Sequence, residues 1–386
     1  MGEGGKARSA SRRFAPAGAA FALAGIALFA YFVWRAEPSK VWDKLTEVGA
    51  GFALILVLSG LRFGVRALAW SLCFEAPHRL GFRHALVAFL IGDTAGNVLP
   101  VGLVVSEPAK AAVARERVPL VAAVSALTVE NIFYMVSVAL FIFTGAAALL
   151  LSFPLTKTLR YSSEGVLVGV LVFALCAVYA ARRQARFLSG ALEWLGRRGV
   201  GRRGAARRGE KARALEDRVY GFYARSRRRF APILALEFSF HLLGVAEAYV
   251  TLWLMGGAPP TLLAAFLFES VNRVITMVFK FVPLRAGVDE AGTGALGRVL
   301  GFGVDAGVAL AIVRKARMLF WMSVGVGLLV SRGLSLRAVA GEQSGVASPE
   351  SGAGDQTPPS AETPPPDSAL HGSDSGLRSP DSGLSS

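Results

Sequence analysis

Long apolar runs separated by short polar segments dominate the chain and predict its architecture. About 20 consecutive apolar residues span a bilayer as a helix. We therefore predict an all-α polytopic membrane protein with six to eight transmembrane helices. The runs that carry this prediction are Phe14–Trp34, Gly49–Phe74, Pro119–Phe153, Gly165–Ala181, Phe230–Met255, Thr261–Val282 and Val304–Val330.

One apolar run is too short and too irregular to be read as a simple span. His84–Leu99 ends in Gly-Asp-Thr-Ala-Gly-Asn-Val-Leu-Pro, and the amphipathic stretch Val101–Val118 follows it. Irregular backbone is tolerated at membrane depth only where protein or a cavity satisfies it, which favours a re-entrant hairpin here. The run Thr261–Val282 is long enough to span but is also compatible with a second re-entrant element, and both alternatives remain open.

Two segments of the chain resemble each other and predict an internal repeat. Asn97 to Glu107 and Phe281 to Glu290 both contain Pro-x6-Glu with a glycine in between, starting at Pro100 and Pro283. A short small-residue helix and then a long apolar helix follow each of them. Transporter folds are often built from such repeats, with broken helices near the midplane. If residues 261–303 re-enter from the outside, the repeat is inverted.

Composition supports the membrane class, and charge orients the chain. Hydrophobic residues make up 53% and charged residues 18%, which excludes a disordered chain and disfavours an ordinary soluble enzyme. The net charge is +15, with +12 concentrated in residues 181–230. Because basic segments stay in the cytoplasm, we place residues 1–13 and the 181–230 loop there, around a membrane domain at 14–335 in the cell membrane. No recognition motif makes the basic loop a nucleic-acid site.

The last segment of the chain has a different composition. Residues 338–386 are rich in Ser, Gly and Pro, and they carry a net charge of −6. Such a segment cannot bury enough apolar surface to fold, so we predict a disordered acidic tail.

Charged residues inside the apolar runs are the candidate binding residues, because a charge at bilayer depth costs about 2.5–3.5 kcal/mol. Arg314 and Arg317 lie deep in the last run, and arginine binds phosphate through two hydrogen bonds, so we expect them to hold a phosphate. Glu269 and Arg273 are four residues apart, which fits either a local ion pair or a site. Glu107 and Glu290 fit either helix-start acids or carboxylates that balance Arg314, Arg317 or the amine of a lipid.

Other charged residues favour a structural interpretation. We interpret Arg62 and Arg66 as side chains that reach the membrane interface. Glu237 and His241 are four apart, and a helix-packing hydrogen bond is the preferred interpretation over a metal site or a proton relay. Cys73 and Cys176 both lie in apolar runs, so no Cys-based metal site is expected. We predict neither a metal nor a cofactor.

The motifs around the two repeats resemble those of a known family. The run Asn97…Pro100…Ser106-Glu107…Ala114-Arg115 and the stretch from Pro283 through Gly287-Val-Asp-Glu290 to Arg314 and Arg317 resemble the two signatures of the lysylphosphatidylglycerol synthase transmembrane, or flippase-like, family. The resemblance covers residues 14–335. The chain departs from the family at Val104-Val105-Ser106, where glycines are usual, and at Lys110 or Arg115. The resemblance implies binding or movement of lipids or lipid-linked groups.

The sequence therefore predicts a translocator of a phosphate-containing lipid or lipid-linked substrate. Its expected substrate-binding residues are Asn97, Pro100, Glu107, Glu269, Arg273, Pro283, Glu290, Arg314 and Arg317. Membrane lipids are the expected partners, and the oligomeric state is open. No catalytic motif of the hydrolase, kinase or metalloprotease type occurs. Aminoacyl transfer to a lipid would need a cytoplasmic domain that the low-complexity tail does not provide. A membrane-embedded glycosyl or acyl transferase and a membrane scaffold are the alternatives.

Overall fold

The computed structural model describes residues 38–98, 102–182, 190, 202–279, 285 and 287–331. Most of these residues are helical. No strand occurs within these ranges. We number the helices in chain order: α1 (Pro38–Val48), α2 (Gly51–Leu72), α3 (Phe82–Val98), α4 (Gly102–Ala114), α5 (Leu120–Ser152), α6 (Lys157–Arg182), α7 (Arg202–Arg225), α8 (Phe230–Leu254), α9 (Leu262–Val278), α10 (Val288–Val299) and α11 (Gly303–Ser331).

Among the described residues, four helical segments are long and apolar enough to cross a membrane. They are Gly51–Leu72, Leu120–Ser152, Lys157–Ala177 and Arg227–Leu254. They confirm the predicted all-α polytopic membrane fold. The predicted first span, Phe14–Trp34, lies outside the described residues, as do residues 1–13 and the tail 338–386.

The two irregular regions of the sequence both fold as pairs of short helices. Helices α3 and α9 each have 17 residues, about 25 Å, which is shorter than the roughly 30 Å hydrocarbon core. Gly92 of α3 lies against Lys110 of α4, and Gly292 of α10 lies against Ile275 of α9. Each pair is therefore an antiparallel hairpin. Pro100 and Pro283, which fall between the two helices of each pair in the sequence, lie outside the described residues.

The two halves of the fold match in helix length and in packing. Helices α2 to α5 have 22, 17, 13 and 33 residues, and α8 to α11 have 25, 17, 12 and 29. Helix α2 packs on α8, α3 packs on α11, and α9 packs on α5. Such reciprocal packing is what a two-fold relation between halves produces.

The α3–α11 and α9–α5 contacts also share one structural feature, a glycine at the point of closest approach. A Cβ added at Gly325 of α11 would overlap Thr94 of α3, and one added at Gly145 of α5 would overlap Ser270 of α9. In both crossings a glycine lets a hydroxyl-bearing helix approach closely, as small residues do between membrane helices.

Helices α2 and α8 run antiparallel along the centre of the fold. Gly51 at the start of α2 lies against Leu254 at the end of α8. At the other end, Arg229 Nη1 donates a hydrogen bond to the carbonyl of Phe74, at 2.7 Å. Equivalent helices that pack antiparallel are related by an axis perpendicular to them, and this packing agrees with the predicted inverted repeat.

The basic helix α7 is held to the membrane helices by aromatic packing. Phe222 is fully buried, and the Tyr223 ring stacks on Phe133 of α5 with centroids 5.9 Å apart. Burial raises the pKa of the Tyr223 hydroxyl above its ordinary value. Arg225 forms an ion pair with Glu75 after the end of α2, at 3.0 Å.

Candidate functional site

A cluster of buried charges lies where α2, α8, α9 and α11 meet. We call it the arginine cluster, and it consists of four arginines and two glutamates: Arg62, Arg273, Arg314, Arg317, Glu247 and Glu269. The side chain of Arg317 is 18% exposed, and the other five are nearly fully buried. Four mainly apolar helices thus bring charged side chains together inside the protein. These side chains must form ion pairs and hydrogen bonds with one another.

Glu269 is the shared acceptor of the cluster. Its carboxylate accepts hydrogen bonds from Arg62 Nη2 at 3.0 Å, Arg273 Nε at 3.0 Å and Arg314 Nη2 at 3.2 Å. These donors come from α2, from the next turn of α9 and from α11. Gly244 of α8 makes room for this carboxylate, because a Cβ there would overlap it.

Glu247 is the second acceptor. It accepts from Arg62 Nη1 at 2.9 Å and from Arg317 Nη1 at 2.6 Å. Arg62 therefore spans the two carboxylates with its two terminal nitrogens. The fork of a guanidinium matches this bridging role, which a lysine ammonium cannot fill with the same geometry.

The arginine cluster carries more positive than negative charge. Four arginines share two carboxylates, which leaves a surplus of two positive charges within the cluster. Two buried donors of the cluster, Arg62 Nε and Arg314 Nη1, have no hydrogen-bond partner among the described residues. The Phe240 ring faces Arg62 and Arg273 at 4.5 and 4.9 Å from its centroid, a cation–π arrangement that disperses part of the charge.

A second cluster lies one helical turn further along α2, and its charge balance is the reverse. We call it the acidic cluster, and it consists of Arg66, Glu130 and Glu237. Arg66 donates to Glu130 Oε1 from Nε at 2.9 Å and from Nη2 at 2.6 Å. Glu237 Oε2 lies 3.9 Å from Arg66 Nε, and the Tyr134 ring covers the guanidinium at 3.9 Å. Two carboxyl groups thus face one cation.

His241 makes the interhelical hydrogen bond that the sequence favoured, although not with Glu237. Its Nε2 lies 3.1 Å from Ser137 Oγ of α5, and its ring stacks on Phe141. Glu237 accepts no hydrogen bond from an N–H or hydroxyl group of the described residues, and its neighbour is the carboxyl group of Glu130. No group of three or more His, Cys, Asp and Glu residues suited to a metal ion occurs in the described ranges.

The acids of the two short helices pair locally. Glu107 of α4 accepts from Lys110 Nζ at 2.7 Å and from Asn131 Nδ2 of α5 at 2.9 Å. Glu290 of α10 accepts from Lys315 Nζ of α11 and, at 2.9 Å, from the backbone N–H of Gly287 at its own helix start. The expectation that these acids balance Arg314 or Arg317 is wrong, because Glu269 and Glu247 take those places.

Of the predicted binding residues, four belong to the arginine cluster: Glu269, Arg273, Arg314 and Arg317. Glu107 and Glu290 lie on the neighbouring hairpins, and Asn97 donates to Asp93 one turn before it, at 3.0 Å. Pro100 and Pro283 lie outside the described residues.

Arg62, Arg66 and Glu247 are among the cluster residues that were missed or misread from sequence. The interpretation of Arg62 and Arg66 as interface side chains is wrong, because Arg62 is 5% exposed and both bind glutamates inside the fold. Glu247 was not selected at all. The signal was present in each case, since all three are charged residues within apolar runs.

The comparison with protein families decides the class. The model of the Lysylphosphatidylglycerol synthase TM region family matches residues 19–327. The chain belongs to this family. The match confirms the resemblance noted from the Pro-x6-Glu segments, and it covers both hairpins and both clusters. No curated protein and no solved structure matches the chain.

Proposed function

We propose that this member of the family binds the phosphate of a lipid or lipid-linked group at the arginine cluster and moves it between leaflets. The observation that carries the proposal is the charge balance of that cluster. Its four arginines hold only two carboxylates, at a depth where unbalanced charge is expensive. An anionic group is the ligand that would complete it.

Phosphate fits the donors better than a monovalent anion does. A phosphate group offers several acceptor oxygens, and guanidinium groups bind such oxygens in pairs. The unpartnered donors, Arg62 Nε and Arg314 Nη1, belong to arginines that meet at Glu269. A phosphate would take hydrogen bonds from these donors and compete with the two glutamates for the rest.

A lipid is favoured as the carrier of the phosphate. The helices that surround the arginine cluster have apolar outer faces. Leu61 of α2, Leu242 of α8 and Phe320 of α11 are exposed there. The name of the family refers to a phospholipid. The paired hairpins supply two equivalent elements that can open the site to either side in turn, as inverted repeats do in transporters.

The orientation follows from charge. Residues 1–13 and 181–230 would lie in the cytoplasm, and the acidic tail 338–386 would be a disordered extension of the membrane domain. Labelling of Ser11→Cys and Ser189→Cys, made in a Cys73→Ser, Cys176→Ser background, tests the orientation. Both positions should resist a membrane-impermeant thiol reagent in intact cells and react after permeabilisation. Strong labelling of intact cells would overturn this orientation.

The function is tested with purified protein in vesicles. Proteoliposomes that contain a fluorescent phospholipid in both leaflets are treated with an impermeant quencher, and mass spectrometry follows the lipid composition. Translocation without a new lipid species supports the proposal. A new lipid species would indicate a glycosyl or acyl transferase. If the assay shows neither translocation nor a new lipid species, the membrane scaffold is the remaining alternative.

Arg314→Gln is the most direct variant, because it removes one charge and the unpartnered donor while keeping a polar side chain. Arg160→Gln is the matched control, since Arg160 lies on α6 with an exposed ion pair to Glu164 at 3.0 Å. We expect Arg314→Gln to lower translocation at least tenfold per folded molecule, and Arg160→Gln to leave it unchanged. Equal rates in both variants would remove the phosphate site from the arginine cluster.

A further inference from the structure

Glu237 of α8 is a buried carboxyl group that lies beside the carboxyl group of Glu130. It is 0% exposed, and no N–H group, hydroxyl group or ammonium group of the described residues donates a hydrogen bond to either of its oxygens. The nearest cation is Arg66, whose Nε lies 3.9 Å away and already donates to Glu130. An ionised carboxylate in such a place is costly, and a group in this position takes up a proton instead.

The surroundings of Glu237 do not supply the missing positive charge. Helix α2 contributes Arg66, and α5 contributes Glu130, which is itself fully buried. Helix α4 contributes Lys110 at longer range, but its ammonium is bound to Glu107. The thiol of Cys73 faces the two acids from the end of α2. One bound guanidinium therefore serves two carboxyl groups, so the cluster is neutral only when one carboxyl is protonated.

A second buried polar atom lacks a partner on the same face of α8. His241 lies one turn beyond Glu237, is 0% exposed, and its Nδ1 has no hydrogen-bond partner among the described residues. The charged groups that act on it are Arg62, Arg66, Glu269 and Arg273. His241 thus lies between the acidic cluster and the arginine cluster, where burial and three arginines favour its neutral form.

We propose that Glu237 is a proton-binding site that couples translocation to a proton gradient. The reaction is the addition of one proton, from water on either side of the membrane, to a carboxylate oxygen of Glu237, and its later release. This inference rests on the proposed function, because it assigns the coupling ion to the same transport cycle.

Helix α2 supplies the physical link between the proton and the phosphate. Arg62 and Arg66 are one turn apart on α2, so they move together. Protonated Glu237 leaves Arg66 paired with Glu130 alone. Deprotonated Glu237 competes for Arg66, which shifts α2 against α8 and alters the bonds of Arg62 to Glu247 and Glu269. Each state of Glu237 therefore favours a different arrangement of the phosphate site.

The proton site is tested first without any lipid transport. Infrared spectra of the purified protein should show the carbonyl stretch of a protonated carboxylic acid at neutral pH. This band should be lost when the pH is raised far enough, and it should be absent in Glu237→Gln. Glu164→Gln, in an exposed acid of α6, is the control and should keep the band. A wild-type spectrum without the band, or a band that persists in Glu237→Gln, would overturn the proton site.

Coupling is then tested in proteoliposomes with an imposed pH gradient. One pH unit should shift the distribution of translocated lipid by about tenfold for each proton carried. Glu237→Gln should still equilibrate lipid but show no shift. Wild-type translocation that ignores the gradient would overturn the coupling while leaving the proposed function standing. A wild type that moves no lipid at all would overturn the proposed function, and the infrared band would still report on the proton site.

Discussion

The arginine cluster and the acidic cluster share helices α2 and α8, yet their charge balances are opposite. Arg62 in one cluster spans two glutamates and is joined by three further arginines. Arg66 in the other lies within 4 Å of both Glu130 and Glu237, and no other described cation forms an ion pair with either of them. The same residue type, four positions apart, thus meets a surplus of positive charge in one cluster and of negative charge in the other.

This difference separates two ways of balancing buried charge. A surplus of arginines can be completed only by an added anion, because guanidinium groups do not lose their proton. A surplus of carboxyl groups can be completed by a proton, because a buried carboxyl group neutralises readily. The two clusters therefore call for different ligands, and the same substitution should act differently in each.

The largest expected effect comes from replacing one glutamate in each cluster by glutamine. Glu269→Gln removes the charge shared by Arg62, Arg273 and Arg314, and we expect it to lower the free energy of unfolding by about 3–5 kcal/mol. Glu237→Gln keeps the shape of the protonated acid, and we expect little change or a small gain. Unfolding in mixed micelles, followed by circular dichroism, measures both. Similar losses in the two variants would mean that Glu237 is ionised and that the clusters do not differ as argued.

The sequence predicted the fold more completely than the site. Apolar runs are local features, and they were sufficient to predict the all-α membrane class. For residues 261–282 they left a span and a re-entrant element as alternatives, and the inverted repeat stays a prediction. Pairing within the clusters depends on which helices meet. Glu247 and Glu269 lie 185 and 207 residues from Arg62, and no local pattern joins them. Arg62 was therefore assigned to the interface, and Glu290 was matched to the wrong base of α11.

A smaller effect is expected from filling the space beside Glu269. Gly244→Ala would place a Cβ against the Glu269 carboxylate and force it away from its arginines, at an expected cost of about 1–3 kcal/mol in stability. Gly165→Ala on α6 is the control, since nothing lies near its added Cβ. Thermal unfolding of the two purified variants compares them. A harmless Gly244→Ala would show that Glu269 can shift freely, and the cluster would then be less rigid than the hydrogen bonds indicate.

A still smaller change in stability, but a clear one in function, is expected from Arg317→Lys. The charge stays, so the ion pair with Glu247 survives with the loss of about one hydrogen bond, roughly 1 kcal/mol. A lysine cannot bind a phosphate through a fork, so translocation should fall several-fold. Quencher assays on proteoliposomes with equal amounts of folded protein measure this fall. Arg160→Lys on α6 should match the wild type, and an Arg317→Lys variant that also does so would limit Arg317 to a structural role.

The smallest effect is expected where the same ion-pair distance occurs at the surface. Arg225 and Glu75 are 3.0 Å apart, as are Arg62 and Glu269, but the Arg225 side chain is 63% exposed. Water and salt screen an exposed pair, so Arg225→Ala should leave the unfolding temperature within its reproducibility. The hydrogen bond to Glu75 raises the pKa of Arg225 above its ordinary value. The ion pair therefore contributes its full stability below the ordinary pKa of arginine, and this contribution is lost only at a higher pH. The difference in unfolding temperature between wild type and Arg225→Ala should be the same throughout the range from pH 6 to 9. Thermal unfolding of wild type and Arg225→Ala at both ends of this range measures the difference, and a loss comparable to that of Glu269→Gln would show that burial is not what distinguishes the clusters.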